Sequence, residues 1–398
     1  MEHCPWHKQR ILAANLDLSD DNLLTLKDLT KIPTMTKQDA QLHGQDMTWA
    51  GVPGGAYQYT TGGSSGTPLN FHFGKSRQAS DAAGRIRARR WWGVDLGDKE
   101  IYLWGAPVEL AKTDKIKQIR DRLMNQVLLN AFDMSPKTMA NYLKVIQQYQ
   151  PKCLYGYASS LALLAQFAQS THQTLNIPSL KVIFTTGEPL YPDQRKLIQE
   201  TFQVPVANEF GSRDIGFTAH ETPSGQMLLM SESHILEILN SQGQPVSTGE
   251  TGEAVITGLC SQAQPFIRYR TGDMIKAAEE NSQEGRGLHV LGEVIGRSTD
   301  FIIKQDGTIL HALAVIYVLR AIEGVESFKI IQHTTHDLEV QLVPNALWSD
   351  NAQQQITEQL QQRLGKINIK INKLTTIPPE NSGKHRYVVS YVPLPKNF

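Results

Sequence analysis

Apolar and polar positions along the chain change their spacing several times, and each change predicts a different element. Tyr57-Gln58-Tyr59 and Leu69-Asn70-Phe71-His72-Phe73 alternate every second residue and predict strands on either side of a polar run. From Asp98 to about Phe184, apolar runs such as Glu100-Ile101-Tyr102-Leu103-Trp104 alternate with helical-period stretches, Pro136 to Tyr149 and Ser159 to Gln169. Such alternation predicts an α/β layer with parallel strands. Residues 152–160 join a short strand to a helix with Ser159 as its N-cap, and residues 181–189 repeat this with a β-branched strand, a sharp Gly turn and a helix through Phe202. Val204 to Asp214 forms a third strand with a polar end. In open α/β sheets, ligands sit outside the carboxyl ends of strands, where these turns gather.

From about Met227 to Ile295 the pattern shifts to short strands and turns, which predicts a small β subdomain over about 227–299. Past Asp300 come a strand, a helix (Leu310 to Ala321), two strands across Thr334-Thr335-His336-Asp337, a helix (Asn351 to Leu364) and final strands, enough for a small α+β domain with its own core. Before Gly44 the pattern is one of short helices, with Pro33 ending one and Thr36 able to cap the next. The expected fold is therefore α/β, with a large N-terminal domain (1–299) and a small mobile α+β C-terminal domain (300–398).

Composition narrows the function classes. A chain of 398 residues, 40% hydrophobic and 20% charged, suggests two or three globular domains. Lys plus Arg equals Asp plus Glu at 39 each, so no global field recruits nucleic acid or an anionic membrane, and any phosphate site must be local. Cys4, Cys153 and Cys260 are scattered, which fits reduced thiols, and the N-terminus lacks a basic-then-apolar signal pattern. No apolar run approaches the roughly 18 residues of a membrane span. The expectation is a cytoplasmic protein.

Candidate chemistry centres on Tyr59-Thr60-Thr61-Gly62-Gly63-Ser64-Ser65-Gly66-Thr67-Pro68. Glycines let backbone N–H groups turn inward and hydroxyls add donors, a composition suited to phosphate oxygens; a flexible surface linker has the same composition. The run lacks the Gly-Lys-Ser/Thr ending of a Walker loop. Gly84-Arg85-Ile86-Arg87-Ala88-Arg89-Arg90-Trp91-Trp92-Gly93 reads as an amphipathic helix with solvated arginines, although one arginine could touch a nucleotide phosphate. His220 reads as a surface or capping residue.

Taken in order, the Thr60 to Pro68 loop, Gly187-Glu188-Pro189, Phe210-Gly211-Ser212-Arg213-Asp214, Tyr269-Arg270-Thr271-Gly272-Asp273, Gly296-Arg297-Ser298-Thr299-Asp300 and Ser382-Gly383-Lys384 resemble the adenylate-forming superfamily of acyl-CoA synthetases, within it the phenylacetate-CoA ligase and capsule-biosynthesis-protein group. The resemblance implies activation of a carboxylate with ATP and Mg2+ to an acyl-adenylate, then transfer to a thiol, usually that of coenzyme A. It implies that Thr60, Thr61, Gly62, Gly63, Ser64, Ser65, Gly66 and Thr67 hold the β- and γ-phosphates. Gly187, Glu188 and Pro189 would border the adenine, Phe210 would stack on it, and Glu209, Gly211 and Ser212 would belong to the same nucleotide site. Asp214 stands where the family has a magnesium-binding acid, usually Glu. Asp273 would take the ribose hydroxyls, Arg297 would support ribose and phosphate, Asp300 would be the hinge, and Lys384 would bridge carboxylate and α-phosphate from the mobile domain.

Each residue also has a structural reading: Asp273 with Arg297 as an ion pair, Phe210 as core, Lys384 as a solvated turn residue. Unlike some relatives, the chain has no Cys/His cluster after Asp214, so no structural zinc is expected. Tyr102-Leu103-Trp104-Gly105-Ala106-Pro107 replaces the Gly-rich aromatic segment of the phenylacetate enzymes, and Trp104, Tyr155 and Tyr157 would suit a flat aryl acid while being equally common as core. Expected partners are a small carboxylic acid, aromatic or not, and coenzyme A, with no nucleic acid and no membrane. The acceptor stays open between coenzyme A, a carrier-protein thiol and an amine, as do a homodimer and a non-catalytic ATP-binding role.

Overall fold

The computed structural model describes residues 2–16, 25–61, 69–104, 123–131, 134, 136–279, 281–282, 284–297, 301–306, 309–311, 313–377 and 386–392. Three short helices open the chain: α1 (Pro5–Ala13), α2 (Leu26–Leu29) and α3 (Lys37–Leu42). As the sequence predicts, Thr36 starts α3: its hydroxyl accepts from Asp39 N and the Asp39 carboxylate accepts from Thr36 N, a reciprocal capping box. The alternating segments form an antiparallel hairpin, β1 (Ala56–Thr60) with β2 (Asn70–Gly74), in register from Ala56↔Gly74 to Thr60↔Asn70. Helix α4 (Lys75–Trp91) follows without a gap.

A seven-stranded sheet holds the centre. Its strands are β3 (Glu100–Trp104), β4 (Gln126–Asn130), β5 (Cys153–Gly156), β6 (Val182–Thr186), β7 (Val206–Ser212), β8 (Gly216–Glu221) and β9 (Met227–Leu229), in the order β4-β3-β5-β6-β7-β8-β9. β3 to β7 pair in parallel, and β8 and β9 add antiparallel edges. Every residue of β5 and β6 is buried, because both faces are covered and the runs have no solvent side. Leu103, Leu154, Ile183 and Val206 pack on one face against the helices Pro136–Tyr149, Ala158–Ser170 and Pro192–Phe202. The alternate residues Tyr155, Val182, Phe184 and Ala207 form the other face. The Ser159 cap expected from the sequence is not formed: the helix starts at Ala158 with Tyr157 as N-cap, and the backbone N–H of Ser159 instead donates to the Glu188 carboxylate at 3.0 Å.

Met227 does not open the β subdomain, since Met227–Leu229 completes the large sheet. The separate four-stranded sheet consists of β10 (His234–Leu239), β11 (Thr251–Gly258), β12 (Tyr269–Lys276) and β13 (Glu293–Arg297), all antiparallel. The hairpin β14 (Phe301–Ile303) with β15 (Ile309–His311) comes next, so the helix expected from Leu310 starts at Leu313. β16 (Val325–Gln332), β17 (Asp337–Pro344), β18 (Asn368–Lys373) and β19 (Val388–Ser390) form the last sheet, which shares an apolar cluster with helices Leu313–Ala321 and Asp350–Leu364. Tyr191, just ahead of helix Pro192–Phe202, is buried in that same cluster.

Candidate active site

A cavity of about 820 Å³ opens where β5, β6 and β7 end. Trp104, Tyr155 and Tyr157 line it from the large sheet, Thr186 and Gly187 from the end of β6, Glu209 to Asp214 in part from β7 and its turn, and Tyr269 to Asp273 from β12. Five segments that are far apart in sequence thus meet, as strand ends do in open α/β sheets.

Helix α4 supplies a further wall, and its arginines correct the expectation of a solvated basic face. Arg77 and Arg89 are buried, and Arg85 and Arg87 are half-buried. Arg77 donates to the backbone carbonyls of Asp214 (2.7 Å) and Arg213 (2.5 Å), and its Nε lies 3.5 Å from Asp81. Asp81 in turn accepts from Phe217 N at 3.0 Å, so the turn carrying Asp214 is clamped from below. Gly216 in that turn has φ +96°, and a Cβ there would lie 2.5 Å from the Asp81 carboxylate; glycine is required on both counts. Burial lowers the pKa of Arg77, opposed by Asp81 and Asp214.

The carboxylate of Asp214 accepts from the Tyr269 hydroxyl at 2.8 Å and from the Ser212 hydroxyl. Glu209 is buried, with its Oε1 accepting from Tyr155 (2.9 Å) and Thr186 (3.4 Å) and its Oε2 lying 3.8 Å from Arg85 Nε. Burial, and then Glu209, push the Tyr155 hydroxyl well above its usual pKa, so it stays a donor. Trp104 stacks on Tyr157 with centroids 4.2 Å apart at 21° and lies 5.8 Å from Tyr155, so the aromatic set is contiguous. Asp273 stands opposite Arg297 in the β12–β13 ladder. The neck of the glycine-hydroxyl loop is closed by Thr61, whose N–H donates to Leu69 O and whose hydroxyl accepts from Leu69 N, both at 2.9 Å.

Residues 302–391 match the family model of the CapK C-terminal domain. Over 375 residues the chain is 22% identical to Protein CapK of Staphylococcus aureus, covering 93% of this chain and 82% of that protein. It is 25% identical over 312 residues to phenylacetate-coenzyme A ligase of Escherichia coli K12, covering 76% of this chain and 68% of that one. Among solved structures, 2-hydroxyisobutyryl-CoA ligase in the postadenylation state in complex with R3-HIB-AMP aligns at TM-score 0.74 and 18% identity, over 98% of this chain and 86% of that chain. The chain is homologous to CapK and the phenylacetate-CoA ligases. Its fold is that of the adenylate-forming CoA ligases.

For this CapK homologue the motif residues divide into those on the cavity and those beside it. Thr61, Gly187, Glu209, Gly211, Ser212, Asp214 and Asp273 line it together with Trp104, Tyr155 and Tyr157. Thr60 lies beside it, its hydroxyl donating to Asn70 at 2.6 Å across the hairpin. Glu188 is turned to the N-terminus of helix Ala158–Ser170, where a carboxylate meets the positive end of the helix. Phe210, one position out of phase with Glu209 on β7, is 8% exposed, packs in an apolar cluster with Met35, Leu69, Phe71 and Ile215, and does not itself line the cavity. His220 is fully buried against Phe184, Phe217 and Trp91, not at the surface, and burial lowers its pKa to about 4. Gly62, Gly63, Ser64, Ser65, Gly66, Thr67, Asp300 and Lys384 lie outside the described residues, as does the Arg297 side chain. The reading from sequence missed Arg77 as a clamp and Arg85, Asp81 and Tyr269 as cavity residues. One signal was available: α4 has few apolar residues besides alanine, Ile86 and Trp91, so a helix lying on a sheet has to bury arginines.

No helix among the described residues is long and apolar enough to cross a membrane.

Proposed function

We propose that the chain is an AMP-forming acid–thiol ligase that activates a small carboxylic acid with ATP and passes the acyl group to coenzyme A. The observation that carries this reading is the convergence of Gly187, Ser212, Asp214 and Asp273 on one cavity shared with Trp104, Tyr155 and Tyr157. A carboxylate is a poor electrophile, and joining it to AMP gives it a good leaving group. Two anions must then meet, so oriented donors and cations are needed where charge develops. In this reading Asp273 accepts from the ribose hydroxyls, a task suited to an ionised carboxylate. The Thr60 to Thr67 loop holds the β- and γ-phosphates, Gly187 to Pro189 borders the adenine, and Lys384 and Arg297 neutralise the reacting phosphate and carboxylate. Movement of the C-terminal part, hinged at Asp300, separates the two half-reactions.

Asp214 fits magnesium as a single carboxylate at the cavity wall, since that ion usually takes one or two carboxylates plus phosphate oxygens. Among the described residues no group of three His, Cys, Asp or Glu gathers to hold a metal alone. When bound, magnesium supplies charge neutralisation on the phosphates. The contiguous Trp104, Tyr155 and Tyr157 rings support a flat aryl acid as the substrate.

ATP–pyrophosphate exchange across aryl, aliphatic and amino acids tests the adenylation step, and AMP release with coenzyme A, a carrier protein or a free amine identifies the acceptor. Exchange with one acid class, followed by AMP release with coenzyme A, is the expected result. ATP binding with no exchange for any acid would instead support a non-catalytic nucleotide-binding role.

A further inference from the structure

Helix α4 presents Gln78, Asp81, Ala82 and Arg85 to the cavity, spaced three and four apart and hence on one face. Its other arginines are occupied. Arg77 holds two carbonyls, Arg87 pairs with Glu232, Arg89 with Glu100, and Arg90 with Asp95. Arg85 differs. Among the described residues its guanidinium donates no hydrogen bond, and its ion pair with Glu209 is loose, with Nε 3.8 Å from the carboxylate. Its side chain is 40% exposed in the cavity wall, steadied by the face of Phe217 with the guanidinium 5.3 Å from the ring centre. Glu209 takes its hydrogen bonds from Tyr155 and Thr186 and only this loose ion pair from Arg85, which leaves the guanidinium N–H groups available to a ligand.

We infer that Arg85 is a specificity-determining residue that meets an acceptor oxygen on the far end of the acid, so the preferred substrate is an aryl acid bearing a hydroxyl or a second carboxylate. This rests on the adenylation reading above. A guanidinium is all donor and always charged, so water in the cavity satisfies it until substrate enters. A hydrocarbon acid would displace that water and leave charged donors unmet, whereas an oxygen would replace it. Discrimination then comes chiefly from the penalty on the apolar acid, the stronger route to selectivity in a site built to hydrogen-bond. The position on α4 is firm because the helix lies close to β8: a Cβ on Gly84, the neighbour of Arg85, would stand 3.0 Å from the Phe217 ring.

The test uses benzoate, 3-hydroxybenzoate, isophthalate and 3-aminobenzoate with the full chain, the R85L and R85K variants, pyrophosphate exchange, and calorimetric binding of each acid. The wild type should favour 3-hydroxybenzoate or isophthalate over benzoate by about 10- to 100-fold in kcat/KM, and the favoured one tells whether the oxygen is neutral or charged. R85L should erase that preference through the KM for the acid, with the KM for ATP unchanged, and R85K should restore part of it. Thermal unfolding checks that each variant is folded, and R85K alone carries the KM comparison if R85L is not. Preference for benzoate or 3-aminobenzoate, or an R85L loss equal for all acids, would overturn the inference while leaving adenylation intact. Absent exchange with oxygen-bearing acids that bind the wild type and not R85L would sink adenylation and keep the role of Arg85. No exchange and no binding of any of the four would sink the Arg85 inference and leave adenylation to the wider acid panel above.

Discussion

Arg89 and Arg320 each meet a carboxylate across a packing boundary, but the two boundaries are built differently. Arg89 Nη1 donates to both oxygens of Glu100 at 2.6 Å, and Arg89 Nη2 and the Tyr102 hydroxyl complete a network between α4 and β3. Those side chains are only 9% and 5% exposed. Burial opposes the charge on Arg89, yet Tyr102 and Glu100 outweigh it and its pKa lies above the ordinary guanidinium value. Arg320 joins Asp193 at 2.5 Å between helix Leu313–Ala321 and helix Pro192–Phe202, at 19% and 45% exposure, with its guanidinium 5.4 Å and 5.0 Å from the ring centres of Tyr191 and Tyr387. A closed, dry network cannot open without stranding a charge, so α4 and the sheet act as one platform. An ion pair with one side in water can part cheaply, which suits the hinged movement proposed above.

Breaking the dry pair should have the largest effect. R89L leaves Glu100 buried without its cation, and denaturant unfolding should register a loss of about 3–5 kcal/mol. Under the proposed chemistry, K384A should lower pyrophosphate exchange by about 100- to 1000-fold with an unchanged thermal midpoint, separating a reacting residue from a structural one. Acid should act next, because two buried histidines, His7 on α1 and His220 on β8, have depressed pKa values. Burial lowers both His7 and His220 to about 4, so each is neutral when folded while the unfolded chain takes up a proton below about 6.5. Stability from each is therefore full above pH 6.5 and is lost as pH falls toward 4, by about 3 kcal/mol apiece. Urea titrations at pH 7, 5.5 and 4.5 should reveal this decline, and H220F should make it shallower. A steeper decline in H220F would contradict the assignment. The smallest effect should come at the joint: R320A should change global stability by about 1 kcal/mol or less, while shifting exchange by about 10-fold or less through the docked fraction of the C-terminal unit. A destabilisation as large as that of R89L would erase the distinction between the two boundaries.

Much of the framework was legible because its physics is local. Val182–Thr186 and Cys153–Gly156 are continuous apolar runs bounded by turns, and helix Pro136–Tyr149 repeats its apolar residues at helical spacing. The cavity residues Gly187, Asp214 and Asp273 were found through motif order, not through any property of the single residues. What stayed illegible depended on partners distant in sequence. Glu100 stands eleven residues beyond Arg89 at the start of the next strand, but only the packing of α4 on the sheet turns the two together, so a run of arginines reads as solvent-facing. Phe210 and Glu209 are adjacent, and only the sheet decides which of them faces the cavity. His220 carries little local sign of burial, since most of its shelter comes from Trp91 and Phe184 in two other segments, with Phe217 beside it on its own strand.

Helix α4 sits on the sheet through guanidinium contacts more than through hydrocarbon, and this makes its position discrete. Apolar side chains can slide past one another with a gradual change in contact, whereas each arginine must meet its own acceptor. A shift of one residue moves the helix by about 1.5 Å and turns it by roughly 100°, which would part Arg77 from the Asp214 carbonyl and Arg89 from Glu100 at once. Length changes inside Lys75–Trp91 should thus be poorly tolerated, while substitutions at Gln78, Ala82 and Arg85 leave the helix seated. Those three positions are where new acid preferences could be selected on an unchanged scaffold.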